Sequence, residues 1–308
     1  MKKYTLNIYH LAVAFSSIPL AFAGPLGRLA LNYGATPLII SFWRMLFATI
    51  LTGLFVVLSP PARRSVRRLN GWLLGKSLLA GCLMAGHFLA WYAALDKTTI
   101  FNVTVLGALQ PFFAMAGGWL LYRSKVRAQA IPGIIVVVLG AVVMGLMSLN
   151  SGGQASFTGD LLAVLTTLLF SAYLLAGESI RKDIPAALYM LILYGGCTLF
   201  LLAAALLSGQ SLMPADIRII VICGVLTLSG TFLVHSVFNW SVHHVGALFI
   251  TIVSLTEPVG ATLVGWLFFQ EAPKALALLG GLLILAGVYW FLNKQYSNIK
   301  TKQPQTEA

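Results

Sequence analysis

Ten apolar blocks, each about as long as a bilayer is thick, account for nearly the whole of this chain. They run over residues 8–32, 37–58, 72–95, 99–121, 129–148, 159–180, 186–208, 216–240, 245–269 and 275–293. A helix rises 1.5 Å per residue, so about 20 residues cross a hydrocarbon core of ~30 Å. Water is absent there, so the backbone must satisfy its own hydrogen bonds within each block, as a helix does. The residues are 59% hydrophobic and only 9% charged, against roughly 25% charged in a soluble domain. The expected fold is therefore an all-α polytopic membrane protein. Its connections are short and rich in turn formers, such as Ser59-Pro60-Pro61 and Asn150-Ser151-Gly152-Gly153. None is long enough to fold a soluble domain, so any chemistry lies between the helices.

The blocks repeat. Gln110-Pro111 is matched 147 residues later by Glu257-Pro258, Ala114 by Ala261, and Gly118-Trp119-Leu120 by Gly265-Trp266-Leu267. Gly133 is matched by Gly280 and Gly140 by Gly287, all at one ungapped offset. Matches among Leu and Ala are cheap in an apolar chain, whereas a Trp, a Pro and three Gly in one register are not. Residues 8–148 and 159–293 thus form two five-helix halves, followed by a tail at 294–308. Duplicated hydrophobic halves are a signature of secondary transporters.

The formal charge of +12 would suit nucleic acid, but its distribution excludes that partner. With the N-terminus inside, 15 of the 20 Lys and Arg fall on cytoplasmic segments, including Arg63, Arg64, Arg67 and Arg68 in one loop. The other face holds Arg28, Lys97, Arg218 and Lys274, while Arg44 lies within a span. Such asymmetry in short loops orients membrane proteins. Both termini and the tail are expected in the cytoplasm, and the arginine loop reads as a topology determinant touching anionic headgroups. Five spans per half is an odd number, so the second half is expected upside down relative to the first. The loops agree: Tyr122–Arg127 is basic, whereas its repeat partner Phe269–Lys274 is nearly neutral. Inverted halves place a substrate site near the midplane, around a central cavity.

Two local features have competing readings. Lys2-Lys3, an apolar run and Ala21-Phe22-Ala23 imitate a secretory signal with its cleavage site, but losing that block would break the repeat. Gly24-Pro25 reads better as a kink in the first span. Cys82, Cys197 and Cys223 all fall in spans, odd in number and without C-x-x-C spacing, which argues for packing residues rather than a disulfide or metal site.

The residues also resemble a known family, the ten-helix EamA-type members of the drug/metabolite transporter superfamily. The resemblance covers roughly 10–147 and 159–293. In the first half it rests on Pro37-Leu38, Phe42 through Ala48, Tyr92 through Leu95, Pro111 and Gly133 through Gly140. In the second it rests on Gly159 through Ala163, Glu257-Pro258, Phe268 through Glu271 and Gly280 through Gly287. It implies a carrier of small metabolites, amino acids among them, with a central cavity. The family often has an acid in the turn of both halves; here Glu271 is present and Ser124 stands at the matching position.

Ionisable groups inside spans are costly, so each is a candidate site residue. Glu257 lies near the middle of the ninth span, and Gln110 is its repeat mate. An acid and an amide facing each other suit recognition of an ammonium or a proton relay; the competing reading is a capping bond beside a kink. Arg44 in span two and His87 in span three lie at similar depth and would hold a carboxylate, unless Arg44 is tied to helix-end carbonyls and His87 to another helix. Trp91 shares the face of His87 at i, i+4. His235 and Asn239 form a second such pair, expected to line the inward mouth. His243-His244 read as a solvated turn, Glu178 as a surface ion pair with Arg181 and Lys182, and Ser16-Ser17 as mid-span hydroxyls.

No H-E-x-x-H, G-x-S-x-G, Walker or G-x-G-x-x-G sequence is present, so neither an enzyme, a cofactor, a metal site nor an ATP drive within the chain is expected. The expectation is a carrier in the cytoplasmic (inner) membrane. It would move a small amino-acid-like metabolite, outward, by alternating access, as a monomer or weak dimer, with protons a candidate coupling ion. Rival readings are a proton-coupled multidrug or organic-cation exporter and, from another class, a membrane-embedded enzyme or scaffold.

Overall fold

In a computed structural model, residues 7–98, 103, 106–145, 156–257, 259–260 and 275–296 are described. The helices are α1 Ile8–Leu20, α2 Ala23–Asn32, α3 Pro37–Leu58, the short α4 Pro60–Ser65, α5 Gly71–Lys97, α6 Gln110–Tyr122 and α7 Ile131–Gly145. They continue as α8 Phe157–Ile180, α9 Ala186–Ser208, α10 Ile217–Leu226, α11 Val237–Val245, α12 Ala247–Ser254 and α13 Ala275–Tyr296. A π-helical segment, Thr227–Ser236, joins α10 to α11. No strand occurs among the described residues. Seven helices among them are long and apolar enough to cross a membrane, with Ile8–Asn32 and Ile217–Val245 each counted whole, and Ala128–Val143 is a shorter apolar helix. The expected spans 99–121, 129–148 and 245–269 fall partly outside the described residues, as do Pro258, Ala261, Gly265-Trp266-Leu267, Glu271 and most of the tail.

Side-chain caps start the helices where the turn residues stand. Thr36 Oγ1 accepts from Ile39 N at 3.2 Å just before Pro37, and Asn70 Oδ1 accepts from Leu73 N at 2.8 Å. Each satisfies one of the four donors that a helix start leaves open. Along the helices, hydroxyls turn inward and bond back to carbonyls one turn earlier. Ser41 to Pro37, Ser77 to Leu73 and Thr167 to Ala163 do so at 2.7–2.8 Å. Phe55, Leu120, Leu206 and Leu207 are exposed on the outside. Polar groups in and large apolar groups out is the arrangement that lipid, acting as solvent, favours.

Helix pairing respects the repeat. α5 packs on α8, and the stretches at the 147-residue offset from them pair likewise, the π segment and α11 packing on α1. Likewise α5 on α9 is matched by α3 on the π segment, and α6 on α8 by α12 on α1. The pairs α3 with α9 and α7 with α13 map onto themselves under the 147-residue exchange. At the α7–α13 crossing the glycines themselves exchange partners: a Cβ at Gly133 would lie 2.8 Å from Gly287 O, and one at Gly140 would lie 2.7 Å from Gly280 O. Only glycine admits backbones this close.

Several local expectations change. The first span breaks at Ala21–Phe22, not at Gly24-Pro25. Pro25 sits in the first turn of α2, where its missing N–H is harmless, and the carbonyl it fails to bond is that of Ala21, four residues back. Glu178 makes no ion pair with Arg181 or Lys182. Its Oε2 accepts from Ala247 N at 2.9 Å, because Gly246 (φ 84°) turns the chain so that α12 begins against it. Arg181 instead donates to Asn239 O at 3.1 Å and to Ile184 O. His243 and His244 belong to the last turn of α11, and His244, though exposed, stacks on Tyr9 with ring centroids 3.7 Å apart. Ser16 bonds back to Val13 O, while Ser17 Oγ and Thr256 Oγ1 share a hydrogen bond at 2.7 Å. All three cysteines are free.

Candidate functional site

Three of the apolar stretches are interrupted, and residues beside each interruption line one cavity. Besides the break between α1 and α2, the chain turns at Ala108–Leu109 before α6 starts at Gln110, and again at Leu255–Thr256 before the helix resumes at Glu257. These two turns are repeat mates. Pro111 has no N–H to bond back across its turn, so the sequence itself dictates the first interruption. Half-helices that begin inside a bundle aim positive dipole ends inward, as substrate sites in carriers do.

The cavity, together with the open space at its mouth, holds about 860 Å³ not filled by atoms. Leu20 and Ala23 line it from either side of the first break, Arg44 from α3, and His87, Phe88 and Trp91 from α5. Gln110, Ala141, Thr166, Thr167 and Phe170 line it from α6, α7 and α8, with Val103 and Gly107 just before α6. His235, Phe238, Ser254, Leu255 and Glu257 complete the wall. Six of the seven residues expected from the sequence therefore face one space. The seventh, Asn239, does not line it. It is fully buried and donates Nδ2–H to His235 O at 2.8 Å, while Phe238 takes the cavity face.

Arg44 is 1% exposed and is not tied to helix-end carbonyls. Its Nε donates to Thr231 Oγ1 at 2.8 Å and its Nη1 to Tyr92 OH at 3.1 Å, while its guanidinium carbon sits 4.5 Å above the Phe88 ring. Room for Nη2 exists because residue 230 is glycine; a Cβ there would stand 2.6 Å from it. Among the described residues Arg44 makes no ion pair, and Nη2 makes no hydrogen bond. A buried cation held by two neutral hydroxyls has its geometry fixed and its charge unanswered.

Glu257 is half-buried and, among the described residues, makes neither a hydrogen bond nor an ion pair. Gln110, its mate, has Oε1 bonded by Ser254 Oγ at 2.8 Å and its carbonyl bonded by Ser171 Oγ at 3.0 Å. His87 and His235 lie with ring centroids 6.1 Å apart. His87 Nδ1 is 3.0 Å from Thr166 O, and His235 Nδ1 is 2.8 Å from Tyr173 OH. Phe170 packs against both, 5.2 Å from His87 and 6.1 Å from His235, with Phe238 6.3 Å from Phe170. One cavity thus joins a guanidinium and a carboxyl that find no opposite charge among the described residues, two anchored imidazoles and an aromatic wall. No group of three or more metal-ligating side chains occurs among the described residues.

Residues 7–146 and 157–293 both match the EamA-like transporter family. The chain belongs to that family. Its members are transporters, so a small-molecule substrate and a lipid environment follow. The chain is 27% identical over 217 residues to the pseudopaline exporter CntI of Pseudomonas aeruginosa, covering 68% of this chain and 71% of that protein. It is 24% identical over 189 residues to a probable amino-acid metabolite efflux pump of Salmonella typhimurium, covering 58% and 63%. An uncharacterized inner membrane transporter of Escherichia coli, YhbE, is 24% identical over 296 residues, covering 91% and 88%. A solved crystal structure shares the fold at a TM-score of 0.72 and 16% identity, over 92% of this chain and 96% of that one.

Phe88, Phe170, Phe238, Thr166, Tyr92, Thr231 and Gly230 were not legible as site residues. The three Phe residues are indistinguishable from lipid-facing ones by type. The one available signal was the adjacent Thr166-Thr167 in the middle of an otherwise apolar span.

Proposed function

We propose that this protein is a secondary carrier of the cytoplasmic membrane that exports a small amphoteric metabolite, amino-acid-like in bearing both a carboxylate and an ammonium. The observation that carries this reading is the pair of opposite, unanswered charges in one cavity. Arg44 offers Nη2 to a carboxylate, and Glu257 offers a carboxyl to an ammonium. Phe88, Phe170, Phe238 and Trp91 would receive an apolar side chain. Export is favoured by the two named relatives, an exporter and an efflux pump.

Ten spans in two inverted halves, with both termini in the cytoplasm, account for the loop charges, for the family match to each half and for helix pairs that map onto one another. Alternating access follows from such symmetry, because either arrangement of the halves is the other seen from the opposite side. Glu257 also supports proton coupling. A carboxyl within a membrane span is expensive when ionised and unpaired, which favours exchange of its proton for an ammonium. Binding of L-phenylalanine, its methyl ester and its N-acetyl derivative to the purified protein tests the reading. The zwitterion should bind best, and equal binding of the ester would remove the carboxylate from the argument.

A further inference from the structure

His87 and Thr166 are joined by three contacts that leave no choice of proton position. Thr166 Oγ1 donates its single hydrogen to His87 O at 2.8 Å. Toward the ring the same oxygen, 2.8 Å from Nδ1, can then only accept. Thr166 O, 3.0 Å from Nδ1, is a carbonyl and also only accepts. Two acceptors face Nδ1, so Nδ1 carries the proton, and the neutral ring keeps its lone pair on Nε2. No hydrogen bond to Nε2 occurs among the described residues, and that atom is not sealed in the protein interior. His87 lines the cavity, and Nε2 is the ring nitrogen it has free to present there.

We infer that His87 Nε2 is a hydrogen-bond acceptor for an N–H or O–H group of the transported molecule, and that Thr166 is the positioning residue that sets this tautomer. The inference rests on the carrier reading and narrows its substrate class. Glu257 can answer a positive charge of any kind, a quaternary ammonium included, whereas an imidazole lone pair needs a hydrogen to accept. The cavity is therefore built for a primary or secondary amine, or a hydroxyl, rather than for a fully alkylated cation. His235, 6.1 Å away, lacks this constraint, because Tyr173 OH can either donate to its Nδ1 or accept from it.

The test has two arms. The chain has five histidines, so ¹⁵N-imidazole NMR of the full-length protein in nanodiscs, assigned with His87→Asn, reads the tautomer without any substrate. Protonated Nδ1 and bare Nε2 are expected for His87; a proton on Nε2 would overturn the inference. Thr166→Val removes the hydroxyl acceptor but keeps the backbone carbonyl 3.0 Å from Nδ1, so the Nδ1–H population should fall without vanishing, and Thr166→Ser should keep the parent pattern; an unchanged spectrum in Thr166→Val removes the positioning role of the hydroxyl. In the second arm, binding of L-phenylalanine is compared with that of its N,N,N-trimethyl betaine, which keeps both charges but has no N–H. The parent should prefer the amino acid by about five-fold, the worth of one hydrogen bond, and His87→Asn should lose that preference. The same preference in His87→Asn would overturn the acceptor role. Failure of both probes to bind the parent would sink the amphoteric-substrate reading and with it the claim about the substrate, while the NMR arm still decides the tautomer.

Discussion

Arg44 in the first half donates Nε–H to Thr231 in the second half at 2.8 Å, across 187 residues of sequence. The bond crosses from α3 to the π segment, so the cation of the cavity is held by the junction between the halves. A carrier that rocks its halves would strain or release this contact in each cycle.

Lysine at position 44 keeps the charge but gathers its donors on one atom, where arginine reaches Thr231 from Nε, Tyr92 from Nη1 and keeps Nη2 for the cavity. Arg44→Lys is expected to raise the half-saturation concentration for a carboxylate substrate about ten-fold, the cost of one charged hydrogen bond. Normal half-saturation with merely reduced expression would make the arginine structural.

The crossing of α7 and α13 gives a stability prediction. A Cβ at residue 287 would stand 2.7 Å from Gly133 O and from Val137 N, both backbone atoms that cannot rotate away. Gly287→Ala should cost roughly 1–3 kcal/mol, the usual overpacking range, seen as a lower unfolding temperature in detergent. Gly75→Ala, with nothing within 4 Å, is the control and should lose no stability. Equal behaviour of the two variants would contradict the close crossing.

What the sequence disclosed, and what it hid, follows from the range of each interaction. The turn at Ser59-Pro60-Pro61, the kink beside Pro111 and the glycines of α7 and α13 are set by neighbours in the chain or by the repeat, and they were legible. The cavity-facing placement of Arg44, His87, Trp91, Gln110, His235 and Glu257 was within reach because charge and amide groups are rare in apolar spans. The partners were not. Thr231 and Tyr92 reach Arg44 from 187 and 48 residues away. The π segment Thr227–Ser236 has no cue, since its composition suits an ordinary helix. Glu178 was misread as a surface pair because the spacing to Arg181 and Lys182 is real, but the open donor at Ala247 lies 69 residues off.

Topology is testable without purification. Reporter fusions after Arg67 and after Ser151 are expected to report cytoplasm and exterior respectively. The same side for both would end the inverted arrangement.

Glu257 has no partner among the described residues and its mate Gln110 cannot ionise, so proton coupling through this pair rests on Glu257 alone. Glu257→Gln should remain folded in the membrane and transport at a rate that no longer responds to a pH gradient across proteoliposomes. A variant that follows the gradient like the parent would make the carboxyl structural.

Counterflow tests the central claim most directly. Proteoliposomes loaded with unlabelled L-phenylalanine and diluted into a trace of the labelled compound are expected to accumulate label transiently above its outside concentration. Arg44→Ala vesicles and empty vesicles should not. No counterflow with this or any other zwitterionic amino acid, alongside robust exchange of a lipophilic cation such as tetraphenylphosphonium, would contradict an amphoteric substrate and make the protein an organic-cation exporter.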